Sequence, residues 1–156
     1  LGNEELQNYE TICGGTGAGP GFDGCSAVHS HMTNTRMTDP EVLEQRFPVR
    51  VQEFSIRRGS GGKGAQTGGD GIVRALEFLS PMTVTVLSSH RQTRAFGVNG
   101  GAPGLPGENT VRRRDGTEEQ LSGNDRREMK AGDVFIMKTP GGGGYGAGAE
   151  DREEAE

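Results

Sequence analysis

Two neighbouring apolar runs decide the fold: Ile72-Val73-Arg74-Ala75-Leu76-Glu77-Phe78-Leu79 and Met82-Thr83-Val84-Thr85-Val86-Leu87, which Ser80-Pro81 separates. Runs rich in β-branched and aromatic residues are typical of strands, and Ser-Pro is a turn signal. The runs Val49–Ile56 and Asp133–Lys138 have the same character. The middle and the end of the chain therefore predict a β-sheet.

Strand signals continue on both sides of this centre. Tyr9–Ile12 is a candidate strand near the start of the chain. Thr110–Arg114 and Thr117–Leu121 flank Asp115-Gly116, a pair that favours a hairpin with a type I′ turn. Together these runs predict a mainly β fold.

One short helix is predicted before the first long strand. Thr38 or Asp39 can cap its N-terminus, Pro40 then falls in the first turn, and Pro48 ends it. The last residues, 149–156, carry five acids and one arginine. We therefore predict one domain over residues 1–148 and an acidic, disordered tail over 149–156.

Glycine and proline together number 35 of 156 residues, about 22%, against a typical value near 12%. Glycine falls into four clusters, at 14–24, 59–71, 97–107 and 141–146. Gly59-x-Gly61-x-x-Gly64 has the spacing of a dinucleotide-binding motif, but Gly68-Gly69 follows too soon for a helix to open there. Two interpretations stay open: an anion-binding nest of backbone N–H groups, or close packing of chain segments.

Composition argues against several functions. No run of 18 apolar residues is present, so no membrane-spanning helix is predicted. A net charge of −5 and an aromatic content of 5% argue against nucleic-acid binding. Cys13 and Cys25 are too few for a disulfide framework, which favours a reducing, cytoplasmic location. The first residues contain no signal peptide and no initiator Met, so we expect a fragment of a larger protein.

The segment His29-Ser30-His31-Met32-Thr33-Asn34-Thr35-Arg36 is the richest in chemically useful side chains. In an extended chain His29 and His31 lie on the same face and could bind a metal with a nearby carboxylate. Alternatively, His31, Thr33 and Asn34 could hold a substrate or an oxyanion through short side-chain donors. A purely structural role for the two histidines is the third interpretation.

Taken together, these motifs resemble the C-terminal part of the hydantoinase B/5-oxoprolinase family, and the 5-oxoprolinase branch is the most similar. The form His-Ser-His-Met-Thr-Asn-Thr-Arg followed by Thr-Asp-Pro-Glu carries that branch assignment. The resemblance covers nearly the whole chain in the family's order, through Tyr9–Ile12, His31–Thr35, Arg57–Gly62, Gly68–Gly71, Asn99–Gly101, Lys130–Asp133 and Thr139–Gly146.

The resemblance implies a hydrolase that opens a cyclic amide, either 5-oxoproline or a hydantoin, with ATP hydrolysis. ATP with Mg would be bound by an A-type half that this chain lacks, and the ligands of any divalent metal are expected upstream. The expected partners are that A-type half and the remainder of the B-type half, in an oligomeric complete enzyme. The alternative is a non-catalytic assembly module of such an enzyme or of a related ATP-dependent carboxylase.

The resemblance also implies candidate site residues. His31, Thr33 and Asn34 are the first candidates for catalysis, with His31 as a possible proton carrier, and Asp23 is added as a nearby carboxylate. The candidate substrate-binding residues are Thr35, Arg36, Glu10, Gly61, Gly62, Gly69 and Asp70. Thr67 stands where family members often have Arg, so either an anion-holding role passes to Arg57, Arg58 or Lys63, or the substrate of this chain differs.

Overall fold

The computed structural model describes residues 1–30, 33 and 35–148, and it confirms the mainly β fold with one short helix. The helix α1 spans Pro40–Arg46. The strands that follow in these ranges are β1 (Val49–Ile56), β2 (Ile72–Phe78), β3 (Met82–Leu87), β4 (Glu108–Arg112), β5 (Glu118–Leu121), β6 (Asn124–Met129) and β7 (Val134–Lys138). No helix in the described part of the chain has the length and apolar character needed to span a membrane.

The strands form two antiparallel sheets. The larger sheet has the order β1-β2-β7-β4-β5, and β3 pairs with β6 in a second, two-stranded sheet. Alternate residues of β3, from Met82 to Val86, are buried, as the period of a half-buried strand requires. They join Phe78 and Phe135 of the larger sheet in one apolar core. The buried side chains of β2 and β3 therefore pack in the same core.

The helix forms as its sequence predicts. Asp39 is the N-cap, and its Oδ1 accepts a hydrogen bond of 2.9 Å from the N–H of Glu41. Pro40 occupies the first helical position, where its missing N–H costs nothing. Leu43 is fully buried and fixes the helix against the core, whereas Val42 remains on the surface.

Two local predictions are wrong. Tyr9–Ile12 belongs to no strand, because this β-prone run has no neighbouring strand to pair with. The hairpin between β4 and β5 forms, but its loop has three residues, since the N–H of Arg113 bonds to the carbonyl of Thr117 at 2.8 Å. Gly116 has a φ of 88°, while Asp115 has no positive φ, which fits a type I turn with a bulge rather than a type I′ turn.

The four glycine clusters meet in one place, which we call the glycine layer: residues 14–19, 60–71, 97–104 and 141–146. Its segments are hydrogen-bonded backbone to backbone, as from Gly142 N–H to the carbonyl of Gly69 at 2.9 Å and from Gly62 N–H to the carbonyl of Gly142 at 2.8 Å. A Cβ on Gly142 would collide with the carbonyl oxygen of Thr16. The layer thus confirms close packing of chain segments, which only glycine permits.

Candidate functional site

The histidine-rich motif is held at both ends by the segment 9–14. His29 Nε2 lies 2.8 Å from the carbonyl oxygen of Thr11, so this nitrogen carries the proton and donates. At the other end, the N–H of Thr38 donates to Glu10 Oε1 at 2.7 Å. His29 and Thr38 are therefore bonded to residues 9–14, whereas His31 and Asn34, two of the predicted catalytic residues, lie outside the described residues.

The described neighbours of those two residues are accessible. Thr33 is half-buried, and Thr35 and Arg36 are exposed. Their side chains are thus available to a ligand or to another part of the complete protein. Their predicted roles in catalysis and in substrate binding stay predictions.

Glu10 is the most strongly engaged of the predicted site residues. Its Oε2 lies 3.0 Å from Arg74 Nη2, and the two side chains are only 10% and 5% exposed. Burial alone would raise the pKa of the Glu10 carboxyl, but the hydrogen bonds from Thr38 and the positive charge of Arg74 lower it below its ordinary value. Glu10 is therefore ionised at neutral pH, and it joins the motif segment to the centre of β2.

Asp23 and Asp70 both hold turns of the glycine layer. Asp23 is exposed, and its Oδ1 accepts a hydrogen bond of 2.6 Å from the N–H of Thr67. Asp70 Oδ1 accepts from the N–H of Gly61 at 2.8 Å, while the N–H of Asp70 donates to Ser26 Oγ at 2.8 Å. These contacts give both carboxylates a structural role in the layer. Their predicted contacts with reactants stay predictions.

The predicted glycines of the site have no N–H free for an anion. Gly61 donates to Asp70, Gly62 donates to the carbonyl of Gly142, and Gly69 donates to the carbonyl of Thr16. Because these three donors are used within the chain, Gly61, Gly62 and Gly69 do not form an anion-binding nest. The glycines can shape a wall of a site, which is the role that their resemblance to the family implies.

The three cations that could take the role of an Arg at position 67 differ in their exposure and in their bonds to other residues. Arg57 is engaged, with Nη2 2.7 Å from Glu108 Oε1 and Nη1 2.6 Å from the carbonyl oxygen of Pro106. Arg58 and Lys63 are exposed. An anion near the glycine layer would therefore meet Arg58 or Lys63 rather than Arg57.

The donor set for a metal is incomplete in the described part of the chain. No group of three His, Cys, Asp or Glu side chains converges there. His29 uses its Nε2 to bond Thr11, which leaves only Nδ1 for coordination. The described residues therefore do not by themselves provide the ligand set of a metal centre.

A cavity of about 550 Å³ lies beside Glu10, and the sequence did not reveal it. Its walls come from the segment 9–14, from β2, β3 and β7, and from the connection after β3. Arg74 and Arg91 line it, and each has a buried side-chain nitrogen without a hydrogen-bond partner. Arg74 could have been noticed in the sequence, because it occupies an inward position between Ile72 and Leu76 of a buried strand.

The sequence and the fold define the class of protein. The family described as Hydantoinase B/oxoprolinase matches residues 2–148, and the chain belongs to this family. It is 47% identical over 147 residues to 5-oxoprolinase 1 of Arabidopsis thaliana and 48% identical over 146 residues to 5-oxoprolinase of Dictyostelium discoideum. Each alignment covers 94% of this chain but only 12% of the relative, so the chain spans about an eighth of the length of these enzymes.

A solved structure has the same fold. The ATP-dependent caprolactamase from Pseudomonas jessenii superposes with a TM-score of 0.72 at 30% sequence identity. The superposition covers 87% of this chain and 25% of the caprolactamase chain. The fold of this chain is thus shared with a region of a longer protein.

Proposed function

We propose that the complete protein containing this chain is an ATP-dependent cyclic amide hydrolase that opens 5-oxoproline to glutamate. The observation that carries this proposal is the identity of 47–48% to two 5-oxoprolinases across 94% of the chain. The caprolactamase of similar fold is named for a cyclic amide and for its dependence on ATP, which supports the same reaction class. In this proposal ATP with Mg is held by an A-type half outside this chain.

The proposed contribution of this chain is to the step in which water opens the ring. Addition of water to the activated amide carbon places negative charge on oxygen, and short side-chain donors stabilise such charge. Thr33 and Asn34 carry donors of this type, and His31 can carry a proton between water and the departing nitrogen. The described residues on either side of these positions, His29 and Thr38, are hydrogen-bonded to the segment 9–14, which supports a site next to that segment.

The test is ADP release by the complete enzyme, offered 5-oxoproline and hydantoin in parallel, with glutamate measured as the product. We expect 5-oxoproline to stimulate ADP release, with one glutamate formed per ring opened. Stimulation of ADP release by hydantoin alone would mean that the substrate is a hydantoin rather than 5-oxoproline. Thr67→Arg would then be the first variant to measure. If neither compound stimulates ATP use, the proposed reaction is wrong.

A second candidate function is that of an assembly module for the rest of the enzyme. Large apolar side chains are exposed on this domain, with Tyr9 88% and Phe96 80% accessible. Phe96 adjoins the glycine layer, where its carbonyl oxygen lies against Gly143. Aromatic side chains are enriched at protein–protein interfaces, so coverage of Phe96 by another segment of the complete protein would support this role.

The assembly role is tested by Phe96→Ser in the complete enzyme. Leu79→Ser is the matched control, because Leu79 is 46% exposed and follows the end of β2, outside the glycine layer. An assembly role predicts that Phe96→Ser lowers the assembled mass in light scattering, with normal turnover in the enzyme that stays assembled. Equal masses for both variants would remove the support that Phe96 gives to this function.

A further inference from the structure

The first residues of the chain lie between two backbone neighbours. On one side, Gly2 and Thr83 exchange two backbone hydrogen bonds of 2.9 and 2.7 Å, at the edge of β3 that faces away from β6. On the other side, Leu1 and Asn8 exchange two bonds of 2.8 Å each. The bridges of Gly2 to both neighbours are antiparallel. A backbone that leads into Leu1 in the same direction would therefore run along β3 and along the segment after Asn8.

The edge of β3 is open beyond Thr83. Because Thr83 uses its N–H and its carbonyl for Gly2, the alternation of an antiparallel ladder directs the backbone groups of Thr85 and Leu87 to the same side. No strand in the described ranges pairs with them there. The side chain of Leu87 is 74% exposed, although β3 contributes to the core. β3 thus has an unused ladder of two residues in line with Gly2.

The segment 9–12 has the side-chain alternation of a strand. Tyr9 and Thr11 are exposed, whereas the carboxylate of Glu10 is only 10% exposed and Ile12 is half-buried. Side chains that alternate between two faces are typical of extended backbone with one buried face. This segment therefore has the conformation that its β-prone sequence predicts, but it has no strand partner in the described part of the chain.

The backbone of the same segment forms a second open ladder. The bonds between Leu1 and Asn8 begin it, so the groups of Glu10 and Ile12 are directed to the same side as those of Asn8. The carbonyl of Thr11 is directed to the opposite side, where it accepts the bond from the histidine motif. The unused backbone groups of the segment 9–12 thus face the same space as those of β3.

The cavity of about 550 Å³ occupies this space. The four residues with unused backbone groups all line it: Glu10, Ile12, Thr85 and Leu87. Leu1 lines it too, as do the core side chains Leu76 and Phe135. Since Leu1 and Gly2 already lie between the two neighbours, the space beyond them has the width of one strand. A strand there would bond on both sides and bury its inward side chains on an apolar floor.

We infer that the residues directly before Leu1 in the complete protein fill this cavity as a strand between β3 and the segment 9–12. This chain spans about an eighth of the length of two 5-oxoprolinases, and it resembles the C-terminal part of its family, so we expect further residues to lead into Leu1. The inference depends on that continuation and on no particular reaction.

The existing bonds set the register of this strand. The first residue before Leu1 lies opposite Thr85 and Tyr9, with its side chain outward. The second lies opposite Val86 and Glu10, and its side chain faces the core as that of Leu1 does. The third and fourth repeat this alternation, so four residues complete both ladders.

The register also predicts the sequence of the strand. The second and fourth residues before Leu1 should be apolar, because their side chains face the core. None of the four should be Pro, because each donates its N–H to one of the two neighbours. Charged residues at both inward positions, or a Pro among the four, would overturn the inference.

The test is disulfide formation in the complete enzyme between two introduced cysteines. One replaces the residue directly before Leu1, and the other is Tyr9→Cys. The register makes these two positions a non-hydrogen-bonded pair with Cα atoms about 4.5 Å apart, which a disulfide can bridge. Gln7→Cys with the same first cysteine is the matched control, because Gln7 is exposed two positions earlier on the same segment. Its diagonal distance of about 7–8 Å is too long for a disulfide.

We expect the pair with Tyr9→Cys to oxidise at least about tenfold faster than the pair with Gln7→Cys, within one copy of the enzyme. Peptide mass spectrometry identifies the linked peptides and measures both rates. Equal rates, or no disulfide with Tyr9→Cys, would overturn the inference. A disulfide between two copies, seen as a doubled mass, would also overturn it, because a second copy would then fill the cavity.

A second measurement needs no introduced cysteine. In the complete enzyme, the amides of Thr85 and Leu87 should exchange hydrogen within about tenfold of the rates of Val84 and Val86, which pair with β6. Electron-transfer fragmentation of the peptides resolves these single amides. Exchange of Thr85 and Leu87 about a hundredfold or more faster than that of Val84 and Val86 would show an open edge and overturn the inference.

These outcomes are distinct from those of the proposed function. If 5-oxoproline fails to stimulate ATP use but the disulfide with Tyr9→Cys forms, the proposed reaction is wrong and the strand stands. If 5-oxoproline is hydrolysed and the disulfide does not form, the reaction stands and the strand is wrong.

Discussion

Gly142→Ala tests the account of the glycine layer. A Cβ on Gly142 would lie 1.8 Å from the carbonyl oxygen of Thr16, whereas real Cβ atoms essentially never approach another atom closer than 3.0 Å. The obstacle is backbone rather than a flexible side chain, so one of the two segments must move by more than about 1 Å. No rotamer change can relieve this contact.

The expected cost follows from the hydrogen bonds that such a movement breaks. Three bonds meet at this point: Gly142 N–H to Gly69 at 2.9 Å, Gly62 N–H to Gly142 at 2.8 Å and Gly69 N–H to Thr16 at 2.8 Å. At roughly 1 to 1.5 kcal/mol for each lost bond, Gly142→Ala should destabilise the layer by about 3–5 kcal/mol. That is a large part of the stability of a domain, which is about 5–15 kcal/mol.

The assay is hydrogen exchange, followed by mass spectrometry, in the complete enzyme. Peptides covering residues 60–71 and 139–146 should exchange about a hundredfold or more faster in Gly142→Ala, because local opening sets their exchange rate. Gly17→Ala is the matched control, since a Cβ there would be 3.8 Å from its nearest neighbour, the carbonyl oxygen of Gly143. If both variants exchange like the parent enzyme, the packing account of the layer is refuted.

Three further predictions concern the buried ion pair and the cysteines. Glu10→Gln leaves Arg74 buried without a counter-charge and should destabilise the domain by about 3–5 kcal/mol. Glu77→Gln breaks a 3.5 Å surface pair with Arg50 and should cost less than about 1 kcal/mol. Thermal unfolding of the two variants measures the difference. Folding lowers the pKa of Glu10, so the ionised carboxylate stabilises the folded state at pH values above the unfolded pKa near 4.5. This stabilisation is lost as the pH falls through the folded pKa. The melting temperature should therefore depend less on pH in the acid range for Glu10→Gln than for the parent protein. Iodoacetamide at pH 8 should label exposed Cys25 at least about tenfold faster than Cys13, because the Cys13 thiol is buried and has a raised pKa. Peptide mass spectrometry measures both labelling rates, and equal rates would contradict this prediction.

The strands that build the core could be predicted because local signals and tertiary contacts agree. Met82–Leu87 alternates and has turn residues before it, and it forms β3 with the predicted bounds. Asn124–Met129 was not predicted as a strand, because its charged residues have no apolar alternation. It forms β6 by pairing with β3, a long-range contact that no local pattern encodes.

The glycine layer was only half predictable. The clusters are visible in the sequence, and their flanking strands exclude a disordered linker. Which cluster touches which depends on backbone contacts between segments as far apart as Thr16 and Gly142, and glycines carry no side-chain pattern that reports such contacts. The literal dinucleotide spacing at Gly59–Gly64 was therefore uninformative, because the same glycines serve packing.

The candidate site was partly predictable through the family resemblance. The resemblance makes Glu10 a substrate-binding candidate, but no local pattern indicates that it pairs with Arg74, 64 positions later in the chain. Arg91 lies in a polar connection with no strand or helix signal, so its burial follows only from the fold. The positions of His31 and Asn34 come from the motif alone.

The catalytic role of the motif is tested by the turnover of His31→Ala and Asn34→Ala in the complete enzyme, with glutamate formation and assembled mass measured on the same samples. Gln45→Ala is the control, because Gln45 is exposed on α1. A part in ring hydrolysis predicts that kcat falls about a hundredfold or more in both variants while the assembled mass stays unchanged. Normal turnover per assembled enzyme, with a lowered assembled mass, would contradict a catalytic role for the motif and make this domain an assembly module.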